Sequence, residues 1–247
     1  MKLSDFFKKN PKVAIAFSGG VDSAYLLYAA SRYASDIGVY YVKSPFQPEF
    51  ELKDCLSIAS GLNIPVNIIE LDILSDNNII TNPSNRCYYC KRKMFEAITK
   101  KAHCDGFSII LDGTNASDLD TERPGMTALK ELSILSPLKL CELTKEDIRH
   151  LSKQAGLFTA TKPAYACLAT RIPCGQRITK EALAITEKSE NYLTSLGFTD
   201  FRIRMNGQTA IIQIKPEQMN MIFTHREEIV STLKQYYDKV LLDMEGR

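Results

Sequence analysis

No apolar run in this chain of 247 residues approaches membrane-spanning length, so an integral membrane protein is not expected. Charge of one sign is not in excess either. The 31 Lys and Arg nearly balance the 29 Asp and Glu, leaving a formal net charge of +2. That balance argues against a protein whose main task is to neutralise nucleic-acid backbones. The first residues, Met1 to Lys9, lack both a continuous apolar core and a small-residue cleavage site, so no signal peptide is expected. Histidine is scarce, and His103, His150 and His225 show no metal-ligand spacing; they read as surface or structural residues. Neither an internal repeat nor a low-complexity tract is present. Cysteine, by contrast, is plentiful. Seven cysteines, an odd number without an export signal, favour a reducing cytoplasm with metal-binding or reactive thiols over a disulfide framework. With 45% hydrophobic and 24% charged residues, the chain suits one large or two small soluble domains with a substantial core.

Strand and helix patterns alternate through the first half. Val13–Phe17, Ile37–Val42, Val66–Leu71 and Ser108–Asp112 read as strands. Between them, helices are expected from Ala24 to Ala30, from Glu49 to Ser60, and from Lys91 to Ala102. This alternation predicts a parallel sheet whose ligands sit beyond the carboxyl ends of the strands. Thr144 followed by Glu146 and Asp147 marks the start of a helix over Lys145–Gln154, closed by Gly156. The stretch Thr159–Ile178 is rich in Pro, Thr, Cys and Gly and reads as a long functional loop. A helix over Glu181–Leu196, strands at Phe201–Met205 and Thr209–Ile214, a further helix and a last strand at Lys239–Asp243 complete a small α+β domain.

Chemistry is written first in Ser18-Gly19-Gly20-Val21-Asp22-Ser23, between the first strand and the first expected helix. Glycines let the backbone approach a ligand, and N–H groups at a helix N-terminus favour an anion. No Lys follows the glycines, so this is not the Gly-x4-Gly-Lys-Ser/Thr loop. The turn Asp112-Gly113-Thr114-Asn115-Ala116-Ser117-Asp118 follows the fourth strand; its oxygen-bearing side chains suit Mg²⁺ and phosphate, although the same residues also make ordinary turns. Cys87-Tyr88-Tyr89-Cys90 opens a helix and places two thiols on one face, near three cations. Alone, that pair fits a redox couple, half of a zinc site or coincidence, and a structural zinc site needs about four ligands. Cys167 offers a third thiolate, with Cys174 as rival third ligand or bystander. Three thiolates suit a [4Fe-4S] cluster with one open iron. Cys55 reads as core, and Cys104 and Cys141 as structural.

SGGVDS resembles the PP-loop of ATP pyrophosphatases, which split ATP into AMP and pyrophosphate. Over its full length the chain resembles the LarE family of PP-loop sulfur transferases. The resemblance is carried by SGGVDS, Asn85–Lys91, Leu111–Asn115, Arg123-Pro124-Gly125, Lys162-Pro163-Ala164 and Cys167–Pro173. It implies a parallel-sheet PP-loop ATP pyrophosphatase (adenine nucleotide α-hydrolase-like) domain over residues 1–165. An active-site loop and junction then spans 166–178, followed by a small α+β domain over 179–247 for substrate binding or oligomerisation. It also implies ATP-dependent adenylation of a carboxylate of pyridinium-3,5-biscarboxylic acid mononucleotide, the precursor of a nickel-pincer nucleotide. Sulfur then displaces AMP.

By the same resemblance ATP and Mg²⁺ meet Ser18, Gly19, Gly20, Val21, Asp22, Ser23, Ser44, Gly113, Thr114 and Asp118. Asp22, Ser23, Arg171 and Cys167 serve the chemistry, and Arg202, Arg204 and Glu190 meet the substrate. From spacing alone, Arg202 and Arg204 are two solvated arginines on a strand face, and Glu190 is a solvated helix residue. One branch of the family sacrifices the cysteine matching Cys167 and lacks those matching Cys87 and Cys90; the other holds a [4Fe-4S] cluster on all three. This chain has all three, so the cluster branch is expected, with sulfide supplied from outside the polypeptide, a cytoplasmic location and a homo-oligomeric state. The rival readings are a tRNA thiolase of the PP-loop class, an amidotransferase-type synthetase, a sacrificial transferase using Cys167, and a nucleotide- or zinc-binding regulator without turnover.

Overall fold

A computed structural model of the chain describes residues 1–118 and 124–247; Arg123, one of the motif residues above, lies outside them. The chain divides into two compact units. The first comprises Met1–Ile73 and Asn85–Lys162, the second Leu74–Ser84 and Pro163–Arg247. Leu74–Ser84, which sequence order puts inside the first domain, therefore groups with the second half of the chain.

In the first unit, α1 (Leu3–Lys9) leads into β1 (Lys12–Ala16), α2 (Val21–Tyr33), β2 (Asp36–Lys43), α3 (Glu49–Gly61) and β3 (Val66–Glu70). After α4 (Asn77–Ile80), which belongs to the second unit, come α5 (Arg86–Cys104), β4 (Ile110–Leu111), α6 (Pro124–Glu131), α7 (Pro137–Leu140) and α8 (Lys145–Gln154). The sheet runs β3-β2-β1-β4 and all its pairings are parallel. Strand alternation explains its burial on both faces. Val13, Ile15, Val39 and Tyr41 pack with α1, α2 and α3 on one side. Ala14, Tyr40 and Val42 pack with Phe95, Ile98, Met126 and Leu129 of α5 and α6 on the other. The fourth strand is shorter than the apolar run Ser108–Asp112 suggests. Only Ile110 and Leu111 pair with β1; on the other side Leu111 makes an isolated parallel bridge to Leu135, through Leu135 N to Ile110 O at 3.0 Å and Asp112 N to Leu135 O at 2.9 Å. Helix α8 starts as its sequence signature predicts: Thr144 and Asp147 form a reciprocal capping box.

The second unit contains α9 (Lys180–Ser195), β5 (Arg202–Asn206), β6 (Thr209–Gln213), α10 (Met219–Thr224), α11 (Arg226–Leu233) and β7 (Lys239–Leu242). Its sheet runs β5-β6-β7, antiparallel then parallel. Ile203, Met205, Ala210 and Ile212 of the sheet form its core with Leu193, Ile222, Ile229 and Leu233 of the helices. The long segment ahead of α9 is not bare loop. It holds short 3-10 turns at Phe158–Thr161, in the first unit, and Leu168–Arg171, in the second. Among the described residues no helix is long and apolar enough to cross a membrane.

Candidate active site

The SGG turn leaves β1 and enters α2 at Val21, with Gly20 as N-cap. Gly19 has φ +71, a left-handed backbone that side chains rarely adopt. A Cβ there would also lie 3.0 Å from Cys55 Sγ and 3.1 Å from Glu51 O, so α3 closes the turn from behind. Ser18 and Ser23 meet across the turn: their hydroxyls are 3.1 Å apart, and Ser18 N donates to Ser23 Oγ at 3.3 Å. Ser23 Oγ in turn donates to Gly20 O at 3.2 Å. Val21 and Ser23 are buried, which fixes the helix start that presents its free N–H groups.

Asp22 sits on that first turn. One of its oxygens, Oδ2, accepts from Lys145 Nζ at 2.5 Å, while Oδ1 is buried and has no hydrogen-bond partner. An open carboxylate oxygen beside a helix N-terminus is the kind of hard donor that Mg²⁺ takes, so the residues present fit that ion. Sequence reasoning missed Lys145. It lies 123 positions from Asp22, and the one local signal is its place directly after the cap residue Thr144. Lys145 N also donates to Ser117 Oγ at 2.9 Å, which ties α8 to the turn after β4.

That turn meets the SGG loop directly. A Cβ on Gly113 would lie 3.0 Å from Ser23 N, so glycine permits the approach of the two segments. Thr114 Oγ1 donates to Asp112, whose other oxygen accepts from Ser136 Oγ at 2.6 Å. Asp118 accepts from Asn115 N at 3.1 Å and so closes its own turn. Ser44 follows β2, buried, donating to Gln47 Oε1 at 2.6 Å. Ser18 to Ser23, Ser44, Gly113, Thr114 and Asp118 thus all lie in the first unit, at or just beyond the carboxyl ends of β1, β2 and β4.

Cysteine placement separates core thiols from candidate ligands. Burial pushes the Cys55 thiol well above its usual range, and the side chain is fully enclosed. Cys87 is exposed on the first turn of α5, with Arg86 Nη2 3.8 Å from its sulfur, and Cys90 is one turn further and buried. These two belong to the first unit; Cys167, half-buried, and Cys174, exposed, belong to the second. None of the seven cysteines is joined in a disulfide. As donors, three thiols suit a three-thiolate cluster. Among the described residues no group of three His, Cys, Asp or Glu side chains is gathered to hold a metal ion.

In the second unit the arginine and glutamate positions form one buried network. Glu190, 5% exposed, is not the solvated residue that its helix pattern suggests. Its Oε1 accepts from Arg171 Nε at 2.7 Å and Ile203 N at 3.0 Å. Its Oε2 accepts from Tyr165 OH at 2.6 Å and Arg171 Nη2 at 3.0 Å. Four donors fill a carboxylate, which leaves no lone pair for a metal. Arg171, 1% exposed, is likewise occupied by Glu190, by Ala166 O at 3.0 Å and by Thr170 Oγ1 at 2.8 Å.

Arg202 is buried rather than solvated. It donates to Ala164 O at 3.0 Å and Phe201 O at 2.6 Å, with its guanidinium 5.0 Å from the centre of the Tyr165 ring. Burial, and after it the charges of Arg171 and Arg247, lower its pKa to about 10, so it stays cationic at neutral pH without a carboxylate of its own. Arg204 is exposed, as its pattern suggests, and reaches Gln213 Oε1 at 2.6 Å and Thr170 O at 2.9 Å.

No protein-family model matches the chain. It is 33% identical to the uncharacterized protein slr1717 of Synechocystis sp., over 99% of this chain and 92% of that one. It is 29% identical to the pyridinium-3,5-bisthiocarboxylic acid mononucleotide synthase of Lactiplantibacillus plantarum, over 95% and 86% of the two chains. A match of 27% identity to the tRNA-specific 2-thiouridylase MnmA of Pseudothermotoga lettingae covers 61% of this chain and 54% of that enzyme.

Proposed function

We propose, from the premise that this chain belongs to the family of the Synechocystis protein slr1717, that it is an ATP-dependent sulfur transferase acting on a carboxylated pyridinium mononucleotide. The observation that carries this reading is the loop of residues 18–23. A left-handed Gly19, a serine pair and an open Asp22 oxygen at a helix N-terminus suit the triphosphate of ATP. The L. plantarum relative supports the substrate, since its name gives a bisthiocarboxylic acid mononucleotide as product.

The substrate carboxylate attacks the α-phosphorus of ATP, and the bond to the bridging oxygen breaks. The loop N–H groups, Ser18, Ser23 and Lys145 receive the charge on the departing pyrophosphate. Asp22 would hold Mg²⁺, which supplies charge neutralisation on the phosphates when bound. Adenylation makes AMP the leaving group: sulfur attacks the acyl carbon, the C–O bond to AMP breaks, and a thiocarboxylate results. Cys87, Cys90 and Cys167 would hold a [4Fe-4S] cluster, which supplies sulfide when loaded. Arg204, with the uncompensated charge of Arg202 behind it, attracts the substrate phosphate. The partners under this reading are the nucleotide substrate and an external sulfide source, with the protein in the cytoplasm as a homo-oligomer.

The test is incubation with Mg-ATP, the biscarboxylated mononucleotide and sulfide, read by AMP release and product mass. A product heavier by about 16 Da per oxygen exchanged for sulfur, and one AMP per sulfur, is expected. AMP release without sulfur in the product, or no ATP consumption, overturns the reading. The match to MnmA supplies the second reading, thiolation of tRNA, which the same assay with unmodified tRNA separates.

A further inference from the structure

The backbone around Cys167 is gripped at every turn. Arg202 holds Ala164 O, Arg171 holds Ala166 O, and Arg204 holds Thr170 O. Cys167 O itself accepts from Thr170 N at 3.0 Å and from Thr170 Oγ1 at 2.8 Å, and that hydroxyl is held in turn by Arg171. The Tyr165 ring lies between two guanidinium groups, 4.6 Å from Arg171 and 5.0 Å from Arg202. Two of these side chains, Arg171 and Tyr165, meet on one carboxylate: both bond to Glu190, which also takes the N–H of Ile203 on β5.

A charged network of this kind is more than filler. An apolar plug fills such space at no electrostatic cost, whereas a buried pair confers geometry at a cost in desolvation. Its fork-to-carboxylate geometry fixes direction as well as distance.

We propose that Glu190 is the positioning residue of the Cys167 loop: through Tyr165 and through Arg171, which bonds Ala166 O and the Thr170 hydroxyl on Cys167 O, it holds the segment on both sides of Cys167 and thereby sets the direction and shielding of its thiol. The inference rests on reading Cys167 as the thiol that serves sulfur transfer. Glu190 then touches neither substrate nor metal; it acts through its two partners.

The experiment is timed alkylation of the full-length, iron-free protein with iodoacetamide, read by mass spectrometry of tryptic peptides. Cys167 and Cys174 fall in different peptides, because Arg171 lies between them. Exposed Cys174 is therefore an internal standard for the half-buried Cys167. In Glu190→Gln the ratio of Cys167 to Cys174 labelling should rise about tenfold, the shift expected when a charge-assisted hydrogen bond is lost and the segment opens. Tyr165→Phe keeps the ring between the guanidiniums and removes one hydrogen bond; a smaller rise is expected. It decides the matter if the Gln variant does not fold. In sulfur-transfer assays the same variants should lose kcat with KM for the nucleotide unchanged. An unchanged labelling ratio in the folded variants overturns the proposal, as does a KM effect alone. Full activity of Cys167→Ala overturns the sulfur-transfer role of that residue instead, and the labelling result stands independently.

Discussion

Replacing Gly19 by Ala tests the loop at its most constrained point, with Gly20→Ala in the same loop as control. At Gly19 the backbone φ is +71, and a left-handed conformation costs a residue with a Cβ about 1 kcal/mol. The added methyl would also press on Cys55 Sγ at 3.0 Å, Glu51 O at 3.1 Å and Cys55 N at 3.2 Å, two of them backbone atoms of α3 that do not rotate away. Overpacking of this kind costs about 1–3 kcal/mol. Reduced entropy of the unfolded chain returns about 0.5 kcal/mol. The net loss is about 1.5–3.5 kcal/mol, a fall in melting temperature of about 3–14 °C for a protein of this size.

Gly20 differs: with no left-handed φ, its added Cβ would meet only Ser18 Oγ, at 3.5 Å. Gly20→Ala should therefore melt within about 2 °C of the parent. Thermal unfolding by circular dichroism reads both, and AMP formation is followed alongside. If Gly19→Ala and Gly20→Ala melt together, the argument from backbone and α3 contact is wrong.

Lys145→Met leaves both oxygens of Asp22 without a cation; pyrophosphate binding by calorimetry should weaken about tenfold while stability shifts by about 1 kcal/mol or less, since the ion pair is partly exposed. Anaerobic reconstitution should load about four irons per chain, lost in Cys87→Ala, Cys90→Ala or Cys167→Ala and kept in Cys55→Ala; zinc with no iron would refute cluster binding. At about pH 8.5, exposed Cys174 should alkylate and enclosed Cys55 should not, because burial holds Cys55 protonated. Repeated turnover with sulfide is expected; a loss of about 34 Da at Cys167 after one turnover, leaving dehydroalanine, would identify the sacrificial route instead.

The parallel sheet was legible because its strands are buried on both faces, so Val13–Ala16 and Gly38–Val42 read as nearly continuous apolar runs. The cap at Thr144 was legible because its chemistry is local. Glu190 was not. It shares a helical stripe with Leu183, Thr186 and Leu193, but an acidic residue there looks solvated until Arg171 and Tyr165 are known to face it. Arg202 was misjudged for the same reason: its partner carbonyl at Ala164 lies 38 positions away. Lys145 went unseen because ion pairing across the fold leaves no periodic trace. Local hydrogen bonding and burial pattern are encoded over a few residues, whereas side-chain networks depend on topology.

The excursion of Leu74–Ser84 into the second unit means that the chain passes between units three times: after Ile73, after Ser84 and after Lys162. Ile178 N donates to Ile80 O at 2.8 Å and Gly175 N to Asn82 O at 2.8 Å, while Asn82 Nδ2 reaches Pro173 O at 2.7 Å. A fragment ending at Lys162 would carry buried Ile79 and Ile80 without those partners, and a fragment starting at Pro163 would lack the strip that pairs with residues 173–178. No single cut of the polypeptide frees either unit intact. Evolution by simple fusion or loss of one unit is correspondingly hindered, and excising a nucleotide-binding module from this protein requires redesigning the 74–84 strip rather than choosing an end point.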